Sequence, residues 1–229
     1  MTSPTQITPN VYQITRGANI FLLKTGAGEL TIIDAGIPGA AKRVLEAAAA
    51  LGYSHNQIRH LLLTHGDLDH IGSVAGLAKA TGATVYAGTE TKTYVEQVKS
   101  PDHMPAPIAT ITNLMLPLMQ KKASVQKVIQ DGDTLPIGGG IQAIHTPGHT
   151  SDNFSFYWPQ ERVLFAPDLL NTQRGPLGMT PKLITWNMDA AISSARKVLA
   201  LNPEVICVGH GAAARAPFDL EAIISTGRG

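Results

Sequence analysis

The sequence predicts an α/β protein made of two β-sheets with helices over their outer faces. Short apolar or β-branched runs lead into helical patterns in both halves of the chain, the arrangement that buries sheet against sheet and shields it with helices. Tight Gly turns separate the strand runs, whereas the helical runs are rich in Ala and Leu and end at Gly. With 229 residues, 44% of them hydrophobic, the chain can bury roughly 70–75% of its unfolded surface without disulfides or a partner. It is read as a single domain over residues 1–229.

In chain order, Val11–Thr15, Asn19–Lys24 and Thr31–Asp34 read as antiparallel strands joined by turns at Arg16-Gly17 and Thr25–Gly28. Pro38-Gly39 opens an alanine-rich helix that stops at Gly52. Leu61–Leu63 is a buried strand, Ile71–Lys79 a helix and Val85–Ala87 a strand, followed by a polar helix through Lys99. Residues of about 100–124 change texture: Pro101, Pro105, Pro107 and Pro117 interrupt a Met- and Leu-containing stretch, which reads as a lid-like insertion with a short amphipathic helix. Strands resume at Ile141–His145, Phe154–Trp158 and Val163–Phe165. A Gly/Pro-rich loop at Asn171–Pro181, a helix over Met188–Leu201, the strand Val205–Val208 and a last helix from Pro217 complete the chain.

Composition excludes several classes. Mean hydropathy is +0.05 and charged residues are 15%, which excludes intrinsic disorder. Eighteen basic and seventeen acidic residues leave a net charge of +1, so neither nucleic acid nor an anionic membrane is expected as partner. The longest apolar stretch, Ile108–Met119, contains Asn113 and Pro117 and falls short of the ~20 residues a membrane span needs. Cys207 is the sole cysteine and cannot form an internal disulfide. With no basic n-region or apolar h-region at the start, a cytoplasmic location is the expectation.

The densest chemical signal is Thr64-His65-Gly66-Asp67-Leu68-Asp69-His70, directly after the Leu61–Leu63 strand and ahead of a helix. Loops at such positions gather side chains while the scaffold holds them still. A polar turn with a helix-capping Asp explains one carboxylate there, but not two histidines as well. Three further elements share the format of apolar strand, tight turn, then donor. They end in His149, in Asp168 and in His210. His and Asp are donors that Zn²⁺, Fe or Mn²⁺ accept.

As a set, His65, Asp67, Asp69, His70, His149, Asp168 and His210 resemble the metallo-β-lactamase superfamily, and the Asp34 strand end matches too. The resemblance covers nearly the whole chain. It implies an αββα sandwich, two mixed sheets flanked by helices, with a dinuclear metal site at one edge of the sheets. Carried over by position, one metal falls to His65, Asp67 and His149, and the other to Asp69, His70 and His210, with Asp168 bridging. The chain departs from the pattern at Asp67, where most hydrolases of the family have His and flavodiiron relatives a carboxylate. Zinc is the first expectation for both ions, with iron or manganese as alternatives. Two divalent ions, three carboxylates and one hydroxide make a formally neutral core, where His at 67 would leave a positive one.

The resemblance further implies catalysis by a hydroxide bridging the metals, with Asp69 orienting the nucleophile and Asp168 holding both ions. Asp34 is read either as the partner that fixes the tautomer of a ligand histidine or as a turn carboxylate. Met115 and Met119 read as lining for an apolar substrate pocket or as a contact in a homodimer. Arg174, Lys182 and Trp186, in the loop after Asp168, read as contacts to a substrate's anionic or apolar portion, or as plain surface residues. His145 is expected to pack near the site, His55 and His60 to be solvated, His103 to lie on the insertion, and Cys207 to fill core.

The implied function is hydrolysis of an ester, lactone or thioester bond of a small molecule, as in acyl-homoserine lactonases and glyoxalase II-like thioesterases. Phosphodiester or β-lactam hydrolysis ranks as a side activity. The alternative suggested by Asp67 is an iron oxidoreductase of flavodiiron or persulfide-dioxygenase type. A metal-stabilised interaction module without turnover is the third class.

Overall fold

The computed structural model describes residues 3–101 and 106–227, and His103 and Met104 lie outside them. Contacts divide the chain into two compact units, residues 1–129 and 130–229.

The N-terminal unit is a seven-stranded mixed sheet. Four strands, β1 (Thr5–Thr8), β2 (Val11–Arg16), β3 (Ala18–Gly26) and β4 (Glu29–Ile33), form an antiparallel meander. Helix α1 (Ala41–Ala50) then crosses to β5 (Ile58–Leu62), which runs parallel to β4. Two more parallel strands follow: α2 (Leu68–Ile71) and α3 (Val74–Thr81) lead to β6 (Thr84–Ala87), and α4 (Thr89–Gln97) and α5 (Ala106–Met119) lead to β7 (Lys127–Val128). Ile20, Leu22, Ile32 and Leu61 pack with Val44 and Ala47 of α1, Leu77 of α3 and Val95 of α4. Phe21, Leu23 and Ile33 take the alternate positions along the strands and are fully buried as well.

The C-terminal unit carries a six-stranded mixed sheet. Strands β8 (Thr134–Leu135), β9 (Ile141–His145), β10 (Phe154–Trp158) and β11 (Val163–Phe165) are successively antiparallel. After the hairpin of β12 (Leu170–Asn171) and β13 (Gly178–Met179), helix α6 (Met188–Leu199) returns the chain to β14 (Val205–Cys207), parallel to β11. Strand β15 (Ala214–Arg215) and helix α7 (Leu220–Ser225) close the unit. Ile144, Leu164 and Ile206 pack with Ala195 and Val198 of α6 and Ile223 of α7. The α/β class and the two mixed sheets agree with expectation, and Cys207 is buried in β14, which pushes its thiol pKa up.

The helix expected over Ile71–Lys79 is two helices, broken at Gly72-Ser73. Ser73 Oγ donates to Ile37 O at 2.6 Å and accepts from Ala40 N at 2.8 Å, so its side chain serves the α1 turn and not its own helix. The insertion forms a 14-residue helix with no charged residue, longer than expected, and it exposes Ile111, Leu114 and Leu118. Strand β1 and the two-residue strands escaped the sequence pattern because two to four residues are too few to establish a period of two.

Leu164, with no exposed surface, anchors the second core, so Leu164→Ala should cost about 2–5 kcal/mol, whereas Asn187→Ala, losing the cap that accepts from Ala190 N at 3.0 Å, should cost about 1 kcal/mol. Urea unfolding followed by circular dichroism separates the two. Asp131 joins β9 to α6, accepting from His145 N at 2.9 Å and from Lys197 Nζ at 2.7 Å. Burial pushes its carboxyl pKa up, but the Lys197 and His145 hydrogen bonds and the Lys197 charge outweigh that and hold it below the usual value. A lowered folded pKa stabilises above the unfolded value of about 3.9 and loses that effect as pH falls through the folded one. The urea-midpoint gap between wild type and Asp131→Asn should therefore be largest near neutral pH and should close in strong acid.

Candidate metal centre

Strand order places the donors. In the N-terminal unit Asp34 directly follows β4, and Thr64 and His65 follow β5, its parallel neighbour, with Ile33 paired to Leu62. In the C-terminal unit Asp168 follows β11 and His210 follows β14, again parallel neighbours, with Phe165 paired to Cys207. Each unit thus places two of these residues beyond the carboxyl ends of two adjacent parallel strands, where side chains from separate loops meet on a rigid base, while His149 follows β9.

In the N-terminal unit the centre of organisation is the Asp34 carboxylate, which is fully buried. Its Oδ1 accepts from Thr64 N at 3.0 Å and its Oδ2 from Thr64 Oγ1 at 2.8 Å, while His70 Nδ1 lies 2.7 Å from Oδ2. The single Thr64 hydroxyl proton is given to Asp34, so at 3.0 Å this hydroxyl accepts from His65 Nδ1. One carboxylate therefore holds the Nδ1 proton on His70 directly and on His65 through Thr64. Both rings are left with Nε2 as the lone-pair nitrogen, the arrangement that metal-ligating histidines require. The rings lie 4.1 Å apart between centroids and neither is exposed.

The turn after His65 adds carboxylates. Asp67 occupies the N-cap position of α2, but its side chain accepts no capping hydrogen bond, so the bland reading of this residue as a helix cap fails. Its Oδ2 lies 3.6 Å from His65 Nε2. Asp69, in the first turn of α2, has a ligand atom within 4.8 Å of one on His70. A side chain at Gly66 would strike the Tyr94 ring, so the turn needs glycine there. Ala35 N donates to His70 O at 2.7 Å, and Asp34 N to Leu62 O at 2.9 Å, fixing α2 against the strand ends.

In the C-terminal unit Asp168 Oδ2 lies 3.6 Å from His149 Nε2 and 3.4 Å from His210 Nε2. A Cβ at position 209 would collide with Asp168 Oδ1, so Gly209 lets the carboxylate reach the β14 loop. The His149 turn is braced from below: Thr146 Oγ1 meets Ser155 Oγ at 2.9 Å, and Asn153 Nδ2 donates to Thr146 Oγ1 at 2.9 Å. From its other side, Trp186 N donates to His149 O at 3.0 Å.

These distances test a metal directly. An N–H···O hydrogen bond spans 2.7–3.2 Å, whereas two ligands about 2.0–2.1 Å from one tetrahedral cation stand about 3.3–3.4 Å apart. The three His Nε2 to Asp Oδ2 separations, 3.4 to 3.6 Å, are too long for the first and close to the second. Asp34 and Asp168 also adopt left-handed backbone conformations, φ 62° and 53°. Such angles cost a non-glycine residue energy that surrounding structure must supply. The donor set fits divalent cations.

The other sequence candidates are placed as follows. Trp186 is brought beside the His149 backbone with its side chain exposed. Arg174 is exposed in the loop joining β12 to β13, and Met115 and Met119 are half-exposed on α5. His145 Nε2 is spent on Ser151 O at 2.8 Å, closing the turn that leads to Asn153. His60 differs from expectation: it sits half-buried on β5 against the Tyr86 ring. Its burial lowers the imidazole pKa, opposed by Glu29 and aided by Arg59. Thr64 escaped the sequence reading, although a threonine between an apolar strand and His65 was the available signal.

A sequence profile of the metallo-beta-lactamase superfamily matches residues 14–210. The uncharacterized protein YobT of Bacillus subtilis (strain 168) is 30% identical over 200 residues, 83% of this chain and 82% of that protein. Hydroxyacylglutathione hydrolase GloC of Haemophilus influenzae is 29% identical over 183 residues, 79% of each chain. A solved B3 metallo-β-lactamase, described as the first with an active site glutamic acid, superposes with a TM-score of 0.76 at 24% identity, over 100% of this chain and 88% of that one. That likeness, at whole-chain coverage, shows the fold. With most of the chain inside the profile, this protein belongs to the metallo-β-lactamase superfamily.

Proposed function

We propose that this chain is a hydrolase of a small-molecule thioester, or of a related ester or lactone, working with two divalent cations. The observation that carries this reading is the set of His Nε2 to carboxylate separations of 3.4–3.6 Å, too wide for hydrogen bonds and matched to shared coordination. The similarity to a hydroxyacylglutathione hydrolase supports the thioester as the first bond to test. Zinc leads because imidazole and carboxylate donors suit it. The carboxylate at 67 keeps iron and manganese in the comparison.

His65, Asp67 and His149 would hold one cation and Asp69, His70 and His210 the other, with Asp168 shared. Bound there, the pair would supply Lewis acidity toward the scissile carbonyl and lower the pKa of a water from ~15.7 towards ~7. The chain's own part is preorganisation. Asp34 and Thr64 hold the Nδ1 protons and hence the ring orientations of two histidines. Asp69, in the first turn of α2 beside His70, would orient the attacking water. Burial of His65 and His70 keeps the surroundings dry, so each charge acts at short range with little screening.

Protein purified without added metal should carry about two equivalents of divalent metal and hydrolyse thioesters without oxygen, an activity lost on chelation and restored by metal. Turnover that needs both iron and O₂ would instead favour the oxidoreductase alternative. Asp69→Ala should lower kcat by about 10²–10⁴-fold in the metal-loaded protein. Asp34→Asn keeps the shape but removes the charge that holds His70. Metal affinity, measured by competition with a chromophoric chelator, should fall about 10–100-fold. Unchanged affinity would show that Asp34 serves the fold alone.

A further inference from the structure

Between the hairpin β12–β13 and helix α7 lies a cavity of about 550 Å³, in the size range of small-molecule sites. Leu177, Met179 and Leu183 provide apolar wall, and Arg174 and Lys182 are its charged residues; none of the lining residues is acidic. Neither cation forms an ion pair with a described residue, in a unit where Arg162, Arg196 and Lys197 are all paired. Leu183 is 97% exposed, an apolar side chain left in water at the wall of a cavity. Two uncompensated cations beside apolar wall match one chemistry: an anion carried on an apolar chain.

The same loop is tied to the donors. It leaves β11 through Asp168, Thr172 N donates to His210 O at 3.3 Å, and Trp186 N donates to His149 O at 3.0 Å. Met179 N donates to Thr226 Oγ1 at 2.7 Å, fixing the hairpin to α7. The cavity is therefore built from the segment that bridges the backbones of three donors, on a pinned frame.

We propose that this cavity anchors an anionic substituent of the substrate, a carboxylate or phosphate on an apolar portion, through Arg174 and Lys182. The substrate class narrows accordingly to anionic esters or thioesters, an assignment that rests on the hydrolase reading above. Anion and apolar chain are gripped together, so the cavity selects substrates by charge while the donors act on the bond.

The test compares metal-loaded wild type with R174A/K182A and with K121A/K122A, which removes the same charge from the other unit. Two readouts are taken. Calorimetric titration with octanoate and with 1-octanol measures anion recognition without turnover. The ratio of kcat/KM for a carboxylate-bearing thioester to that for its neutral counterpart measures selectivity, with the carboxylate placed in one arm on the acyl side and in the other on the thiol side. In R174A/K182A octanoate affinity and the selectivity ratio of one arm should fall about tenfold or more, while K121A/K122A stays within about twofold of wild type. The arm that responds identifies which side of the bond the cavity holds. Octanoate affinity and selectivity that are equal in wild type and R174A/K182A overturn the proposal. Absence of any ester or thioester turnover by the metal-loaded wild type overturns the hydrolase reading and the substrate assignment with it, and octanoate binding then decides whether the cavity takes anions.

Discussion

The buried Asp34 carboxylate is the interaction on which the histidine cluster of the N-terminal unit depends. A carboxylate removed from water is costly unless every oxygen is hydrogen-bonded. Asp34 meets that demand with a backbone N–H, a hydroxyl and an imidazole. The partners that keep the charge buried are thereby oriented by it: His70 in direct contact and His65 through Thr64. The residue sits in the left-handed region, φ 62°, which turns the chain sharply off β4 and aims the carboxylate back over the end of β5. Removing it would leave two histidines without a fixed tautomer and a donor cluster without a frame.

The C-terminal unit answers the same problem with different residues. Asp168 also leaves a strand in the left-handed region, φ 53°, and also sits beside the end of a parallel neighbour. Here the carboxylate lies within 3.6 Å of two Nε2 atoms, and glycine at 209 clears the space it needs. Each unit therefore uses a strained aspartate after one strand and a histidine after its parallel partner. Chain directions explain the recurrence: parallel strands bring their carboxyl ends side by side, and loops leaving there meet without long detours.

Pairing of charge distinguishes the surfaces of the C-terminal unit. Arg162 meets Glu204, Arg196 meets Glu221 and Lys197 meets Asp131. The loop after Asp168 leaves Arg174 and Lys182 without such partners and sets them beside apolar wall. An exposed ion pair contributes little to stability, so leaving two cations unpaired costs the fold little and makes them available for recognition.

Much of this was legible in sequence. Long strands with alternating or continuous apolar residues, such as Asn19–Lys24 and Phe154–Trp158, announce themselves, and the dense His65–His70 run marks chemistry by donor type alone. Strands of two residues and the break at Gly72-Ser73 did not show, because short elements carry no period and the break answers a tertiary hydrogen bond from Ser73 to Ile37. The order of apolar runs pointed to the fold class, and the resemblance carried by the His and Asp motifs pointed to the family and to the expected donors. Only the tertiary structure decided that Asp34 serves a histidine and not a turn, that Thr64 relays its charge, and that Arg174 shares a cavity with Lys182. These are distances between residues separated along the chain, set by strand register and loop packing, and no local pattern of residues encodes them.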